Sequence, residues 1–203
     1  MHNEILTEEQ KELLNLVKKF HSQFGLVGET AIALHLGHRR SVVFDLFTQN
    51  DFDIDIVRAK IRESHKIQQT LVSLPNQLTI FVESVKLTFY KYPFDIEYPI
   101  NFENSVNIPD LVTLGAMKAF ALGIRAKWKD YVDLFFIFKD HDIEKICIKA
   151  EELFGSEFNQ KLFREQLSYF NDIDYTEKVE YLNEFEVPDK YVEDFLTKVS
   201  LQK

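Results

Sequence analysis

Apolar residues recur along this chain with two different periods, and the switches between them outline its elements. "TEEQKELLNLVKKFH" sets Leu13, Leu14, Val17 and Phe20 at helical spacing behind Thr7, with Gln10 three residues on from Thr7. That is the reciprocal capping arrangement, and it predicts an amphipathic helix over residues 7–22. "FGLVGETAIALHLGH" predicts a short apolar strand, tight backbone at Gly25 and Gly28, and a short helix from Thr30 that stops at Gly37. In "SVVFDLF" the period drops to two: Val43 and Asp45 share one face of a strand, while Val42, Phe44 and Leu46 share the other. "FDIDIVRAKIRE" returns to helical spacing through Ile54, Val57 and Ile61. Three β-like runs follow, "IQQTLVSL", "QLTIFVE" and "VKLTFYKY", joined by short breaks at "PN" and "ES", which predicts an antiparallel meander.

The proline-punctuated stretch "YPFDIEYPINFENSVNIPD" reads as a connection between lobes, and from Asp110 onward the pattern is helical almost throughout. The expected class is α+β: an α/β lobe over residues 1–105, a mixed sheet with flanking helices, followed by a helical bundle over residues 106–203. A chain of 203 residues, 45% hydrophobic, can bury cores of that kind. The acidic segment "YTEKVEYLNEFEVPDKYVEDFL" alternates aromatics with charges at helical spacing and is expected to pack the end of the bundle.

A net charge of −9 argues against broad adhesion to nucleic acid, but two short basic clusters stand out, "HRR" at residues 38–40 and "RAKWK" at 125–129. The single cysteine, Cys147, excludes an internal disulfide and reads as a small apolar core residue in a reducing compartment. The N-terminus lacks a secretory pattern, and no apolar run approaches the roughly 18 residues a membrane span needs. A soluble cytoplasmic protein without a membrane partner is expected.

Residues 37–55 hold four aspartates. Asp51, Asp53 and Asp55 look like a metal cluster, yet on the predicted helix they fall before, at and within its first turn. Unsatisfied amides and the helix dipole account for carboxylates there. Asp45, alone on its strand, is the other candidate. In the helical half, "LVTLGAMKAFALGI" contains one charged residue, Lys118. An unpaired buried ammonium is costly, so Lys118 either snorkels, pairs with a carboxylate, or lines a pocket that holds an anion. Asp130 and Asp133 in "KWKDYVDLFFIFK" share a helix face and offer the partner. A purely structural ion pair and a functional site both remain open at this point.

Taken together, "VGETAIALHLGHRRSVVFDLF", "IPDLVTLGAMKAFAL" and "KWKDYVDLFFIFK" resemble the AbiEii/AbiGii toxin family of nucleotidyltransferases, within the polymerase-beta-like superfamily, in order and spacing over residues 24–139. The resemblance implies a nucleotidyltransferase-type mixed α/β lobe and a C-terminal helical bundle. It implies that the glycine-rich turn, Gly28 with Thr30, meets nucleotide phosphates. Asp45, second of a strand pair of aspartates, would hold Mg2+ or Mn2+, and Lys118, Asp130 and Asp133 would complete the site. Arg39, Arg40 and Ser41, with His38, stand where close relatives carry a basic run, and are expected near the triphosphate or an acceptor RNA. The implied activity is transfer of a nucleoside monophosphate from an NTP to an RNA such as tRNA, by a toxin whose partner is an antitoxin encoded nearby.

Three positions depart from that pattern: Val43 stands at the first strand aspartate, Glu29 at the glycine before Thr30, and Thr88 at a later strand carboxylate, with Glu83 or Glu97 as alternatives for the last. Magnesium needs only one or two carboxylates plus substrate phosphates, so nucleotide binding survives such losses. Losing one metal's contribution of several kcal/mol slows transfer on the order of a thousandfold. An impaired transferase and a non-catalytic binding or partner-recognition protein are the two competing expectations.

Overall fold

The capping box at Thr7 forms: Thr7 N donates to Gln10 Oε1 at 3.1 Å, and Gln10 N donates to Thr7 Oγ1 at 3.3 Å. Helix α1 (Glu8–Lys18) starts directly after it and is shorter than its apolar period suggests, because residues 19–23 close it in tight turns. The computed structural model describes residues 1–182 and 184–202, and it divides into two units, Met1–Asp110 and Leu111–Lys203.

In the first unit, β1 (Gly25–Val27), β2 (Val43–Thr48), β3 (Ile67–Leu74), β4 (Gln77–Val82), β5 (Val85–Lys91), β6 (Ile100–Phe102) and β7 (Val106–Ile108) form a seven-stranded mixed sheet. Its order is β3-β4-β5-β2-β1-β7-β6. The meander β3–β4–β5 is antiparallel as expected and turns through Asn76 (φ 61°) and Glu83 (φ 50°). Central strand β2 pairs antiparallel with β1 and parallel with β5. Its sequence alternation becomes burial: Phe44 and Leu46 are fully buried, while Val43, Asp45 and Phe47 are half-buried. Val42 precedes the strand and is 49% exposed, so it does not join the buried face it was expected to share.

Helix α2 (Gly28–Leu36) follows β1, and α3 (Ile54–Arg62) follows β2. Phe20 and Phe24 meet the Phe89 ring edge-on at 4.9 and 5.3 Å, and Val57 and Ile61 of α3 are buried. Each such apolar side chain contributes about 2 kcal/mol by leaving water.

Residues 92–110 are more than a connection. They carry the β6–β7 hairpin, and β7 lies parallel to β1 with Asn107 opposite Gly25. The first unit therefore runs to Asp110 rather than to residue 105. Three-residue strands are too short to show a period of two, which is why the hairpin is hidden in the sequence pattern.

The second unit is helical: α4 (Leu111–Leu122), α5 (Trp128–Asp140), α6 (Ile143–Phe154), α7 (Gln160–Leu167) and α8 (Asp189–Ser200). A Cβ on Gly115 would lie 2.8 Å from Ile146 Cδ1, so the absent side chain lets α4 and α6 approach closely. Phe120 stacks on Phe154 at 4.2 Å. Cys147 is buried on α6, and burial pushes its thiol up to about 11, the behaviour of a core residue.

The helical expectation fails between α7 and α8. There the chain runs as an irregular strap: Asp174 N donates to Ala126 O at 2.8 Å, Trp128 N donates to Asp174 O at 3.0 Å, and Tyr175 packs on Trp128 at 5.1 Å. Tyr181 and Phe185 each reach Phe136, at 6.4 and 5.6 Å. Separate aromatic anchors override a weak helical period in a charged segment, and Pro188 then caps α8. Asn183, within the same expected helix, lies outside the described residues. Among the described residues no helix is long and apolar enough to cross a membrane.

Thr7→Ala removes the acceptor for Gln10 N and disrupts the capping box. We expect a loss of about 1 kcal/mol, read as a lower urea midpoint at unchanged m-value.

Candidate functional site

The first unit brings the turn and the strand carboxylate together. Asp45 sits on β2 opposite Val27 of β1 on one side and Thr88 of β5 on the other. Directly after Val27 the chain turns into α2 through Gly28 at φ +71°, and a Cβ there would lie 2.6 Å from Asp45 Oδ2. Only glycine allows both the backbone angle and the contact. Because α2 starts at Gly28, earlier than the expected Thr30, its first-turn N–H groups, which lack intrahelical partners, begin beside this carboxylate.

Thr30 is fully buried, and its hydroxyl is bonded to Ser41 Oγ at 2.9 Å and to the Val43 carbonyl. It clamps α2 to the start of β2, with Ser41 as the buried third member. Arg39 is also fully buried; its guanidinium meets Glu29 at 3.2 Å and donates to Arg40 O at 3.1 Å. Glu29, the carboxylate that replaces a glycine at the turn, is thus engaged by a guanidinium from the basic run. Arg40 reaches the Glu4 carbonyl at 3.4 Å.

Neither flank of Asp45 adds a carboxylate. Val43 lies two residues along β2, Thr88 stands directly across β5, and the residue opposite Val43 is Lys86. Glu83 lies in the β4–β5 turn and Glu97 in the segment before β6. Among the described residues, no group of three or more His, Cys, Asp or Glu side chains is arranged to hold a metal ion. Beside Gly28 the sheet places one strand carboxylate, Asp45, with Thr88 opposite it on β5.

Asp51, Asp53 and Asp55 have structural partners. Asp53 caps α3, accepting from Asp55 N at 2.7 Å and Ile56 N at 3.4 Å. Asp51 accepts from Asn76 at 2.6 Å and Lys91 at 2.8 Å, and Asp55 faces Arg58 at 3.5 Å. The hydrogen bond from Lys91 holds the Asp51 carboxyl below its ordinary range.

In the helical unit, Lys118 on α4 is buried beside Asp130 and Asp133 on α5. Its ammonium meets Asp133 Oδ2 at 2.9 Å and Asp130 Oδ1, and Arg125 Nε reaches Asp130 Oδ2 at 3.2 Å. Lys118 thereby bridges the two carboxylates, and Arg125 adds a second cation at Asp130. Arg125 belongs to the "RAKWK" cluster, but its partnership with Asp130 was not expected; its signal was a spacing of five residues at a helix-to-helix corner.

No protein-family model matches the chain. An uncharacterized protein of Aquifex aeolicus is 29% identical over 155 residues, 71% of this chain and 75% of that protein. The crystal structure of JHP933 from Helicobacter pylori superposes with a TM-score of 0.58 at 18% identity, over 96% of this chain and 91% of that one. MenT4, a nucleotidyltransferase toxin from Mycobacterium tuberculosis, superposes with a TM-score of 0.63 at 14% identity, over 95% of this chain and 80% of that one. The α+β architecture is the nucleotidyltransferase fold.

Gly28→Ala forces a side chain into the left-handed region and against Asp45, and is expected to cost more than about 1 kcal/mol of stability. Lys118→Met leaves Asp130 and Asp133 without their shared ammonium and is expected to cost about 3–5 kcal/mol. Urea unfolding of both variants measures these losses; a Lys118→Met protein as stable as wild type would show the network to be dispensable for folding.

Proposed function

We propose that this protein is a nucleotidyltransferase that moves a nucleoside monophosphate from an NTP to the hydroxyl of an RNA acceptor, tRNA being the first to test. The observation that carries this is the Gly28 backbone set against the Asp45 carboxylate at the start of α2. A helix N-terminus favours anions, whereas a carboxylate beside a triphosphate repels it unless a cation lies between them. The pairing makes chemical sense when a metal–nucleotide complex is the ligand.

Asp45 is assigned the magnesium or manganese, and the backbone N–H groups of the first turn of α2, including those of Gly28 and Thr30, are assigned the phosphates. The metal, when bound, would supply positive charge against the developing charge on the phosphates. Thr30 and Ser41 act through position, since their hydroxyls fix α2 to β2. Arg39 acts through Glu29, whose charge it offsets beside the turn. Arg40, half-buried on the same run, is assigned the outer triphosphate or the acceptor backbone. In the helical unit, Asp130 and Asp133 hold the Lys118 ammonium and so position α4 against α5.

In the reaction itself, the acceptor oxygen bonds to the α-phosphorus as the bond to the pyrophosphate oxygen breaks, and the hydroxyl proton is released. The fold likeness to MenT4, a nucleotidyltransferase toxin, supports extending the proposal to a toxin with an antitoxin as protein partner; the AbiEii type rests on the sequence resemblance over residues 24–139.

A second reading is favoured by Val43 and Thr88, the uncharged residues flanking Asp45: the fold retained as a binding module without transfer. Labelled ATP, CTP, GTP and UTP offered with total tRNA and magnesium or manganese separate the two. Incorporation by wild type that falls at least about a hundredfold in Asp45→Asn is the expected result. Silence from wild type with activity in Val43→Asp would identify a lapsed enzyme, and transfer unaffected by Asp45→Asn would overturn the assignment.

A further inference from the structure

The two faces of the central sheet differ. Phe44 and Leu46 of β2 and Leu87 and Phe89 of β5 are fully buried, whereas the alternate positions, Val43, Asp45, Lys86 and Thr88, are half-buried. Side chains directly opposite each other on neighbouring strands leave the sheet on the same face. The β2–β5 register sets Val43 opposite Lys86 and Asp45 opposite Thr88, and the β4–β5 register sets Phe81 on the other side of Lys86. Lys86 therefore leaves the sheet on the Asp45 face, with Val43 on one flank of its stem and Phe81 on the other. One strand across and two residues along, its Cα lies about 8 Å from that of Asp45.

Strand β5 carries two lysines whose charges are placed differently. Lys91 meets Asp51 at 2.8 Å. Lys86 is half-buried, and among the described residues no carboxylate lies within ion-pair distance of it. Its apolar flanks cover the stem and offer the ammonium no anion. Val43 is the reason. A carboxylate at position 43 would stand directly opposite Lys86 and pair with it, as opposite charges do across neighbouring strands. Valine at the place of a strand aspartate thus removes a metal ligand and leaves a cation available on the same face.

We propose that Lys86 binds the triphosphate tail of the nucleotide, its ammonium donating to a phosphate oxygen beyond the metal assigned to Asp45. This inference rests on the nucleotidyltransferase reading and names the part of the substrate that Lys86 meets. A lysine neutralises phosphate as a point charge, so Lys86 supplies on this face part of the positive charge that phosphoryl transfer draws from metal ions. The ligand class is a metal-bound polyphosphate, whatever base it carries.

Calorimetric titration of the whole chain with ATP and with inorganic tripolyphosphate, each in excess magnesium, is the test. Lys86→Met is expected to weaken both ligands about tenfold, the scale of one hydrogen bond to a charged group, and Lys86→Arg to keep most of the affinity. Thermal melts should show Lys86→Met as stable as wild type, since no ion pair is lost. A second readout does not need that variant to fold: the Lys86 Cε–H signal in the NMR spectrum of the wild type, assigned by its loss in Lys86→Arg, should shift when magnesium–ATP is added. Binding that Asp45→Asn abolishes but Lys86→Met leaves at full strength, with the Lys86 signal unmoved, would overturn the role of Lys86 and leave the metal–nucleotide site standing. Weaker binding of ATP with unchanged binding of tripolyphosphate would move the contact off the phosphates and overturn it too. No binding of magnesium–ATP by wild type would overturn both this inference and the reading on which it rests.

Discussion

The sheet unit is organised around one close approach, the backbone of Gly28 lying against the carboxylate of Asp45. The β1–β2 register that sets Val27 opposite Asp45 brings the end of β1 to the carboxylate, and the left-handed turn at Gly28 starts α2 there. Everything nearby then serves to hold that turn. Thr30 and Ser41 tie the helix to β2, and Arg39 is buried to meet Glu29. A fully buried guanidinium with no carboxylate beside it would cost several kcal/mol. Glu29 therefore stabilises the fold at the same time as Arg39 reduces the negative charge it brings to the turn.

The two units handle charge differently. In the helical unit, the buried Asp130 and Asp133 meet the Lys118 ammonium, and Arg125 reaches Asp130. The sheet unit presents Asp45 where relatives of the resembled family carry a pair, with Val43, Thr88 and Lys86 as its neighbours on β2 and β5. Lys86 opposite Val43 adds a cation to a strand where a carboxylate is missing. On the proposed function, a site so arranged would rely on the substrate phosphates for the remaining ligands of a divalent ion.

Much of this was legible in the sequence where a local rule decides the outcome. The Thr7 and Gln10 spacing, the alternation through Phe44, Asp45 and Leu46, the cap at Asp53 and the lone Lys118 each specify a partner within a few residues or a face within one element. Other features depend on contacts that no period encodes. The β6–β7 hairpin consists of strands too short to alternate visibly. The strap between α7 and α8 follows individual rings, Tyr175 on Trp128 and Phe185 on Phe136, against the helical spacing of its own aromatics. Arg39 reads in the sequence as a member of a basic run expected near the triphosphate or an acceptor RNA, and only the register between the start of α2 and the run after it shows that its guanidinium meets Glu29. The same register explains why Glu29 is tolerated at the turn.

The central claim is that Asp45 alone, beside the Gly28 turn, supplies the protein's carboxylate for a divalent ion that arrives with nucleotide. Manganese electron paramagnetic resonance on the whole chain with a non-hydrolysable NTP tests it most directly. The account predicts Mn2+ binding that requires the nucleotide and is lost in Asp45→Asn. Tight Mn2+ binding without nucleotide, or nucleotide-dependent binding unchanged in Asp45→Asn, would contradict it.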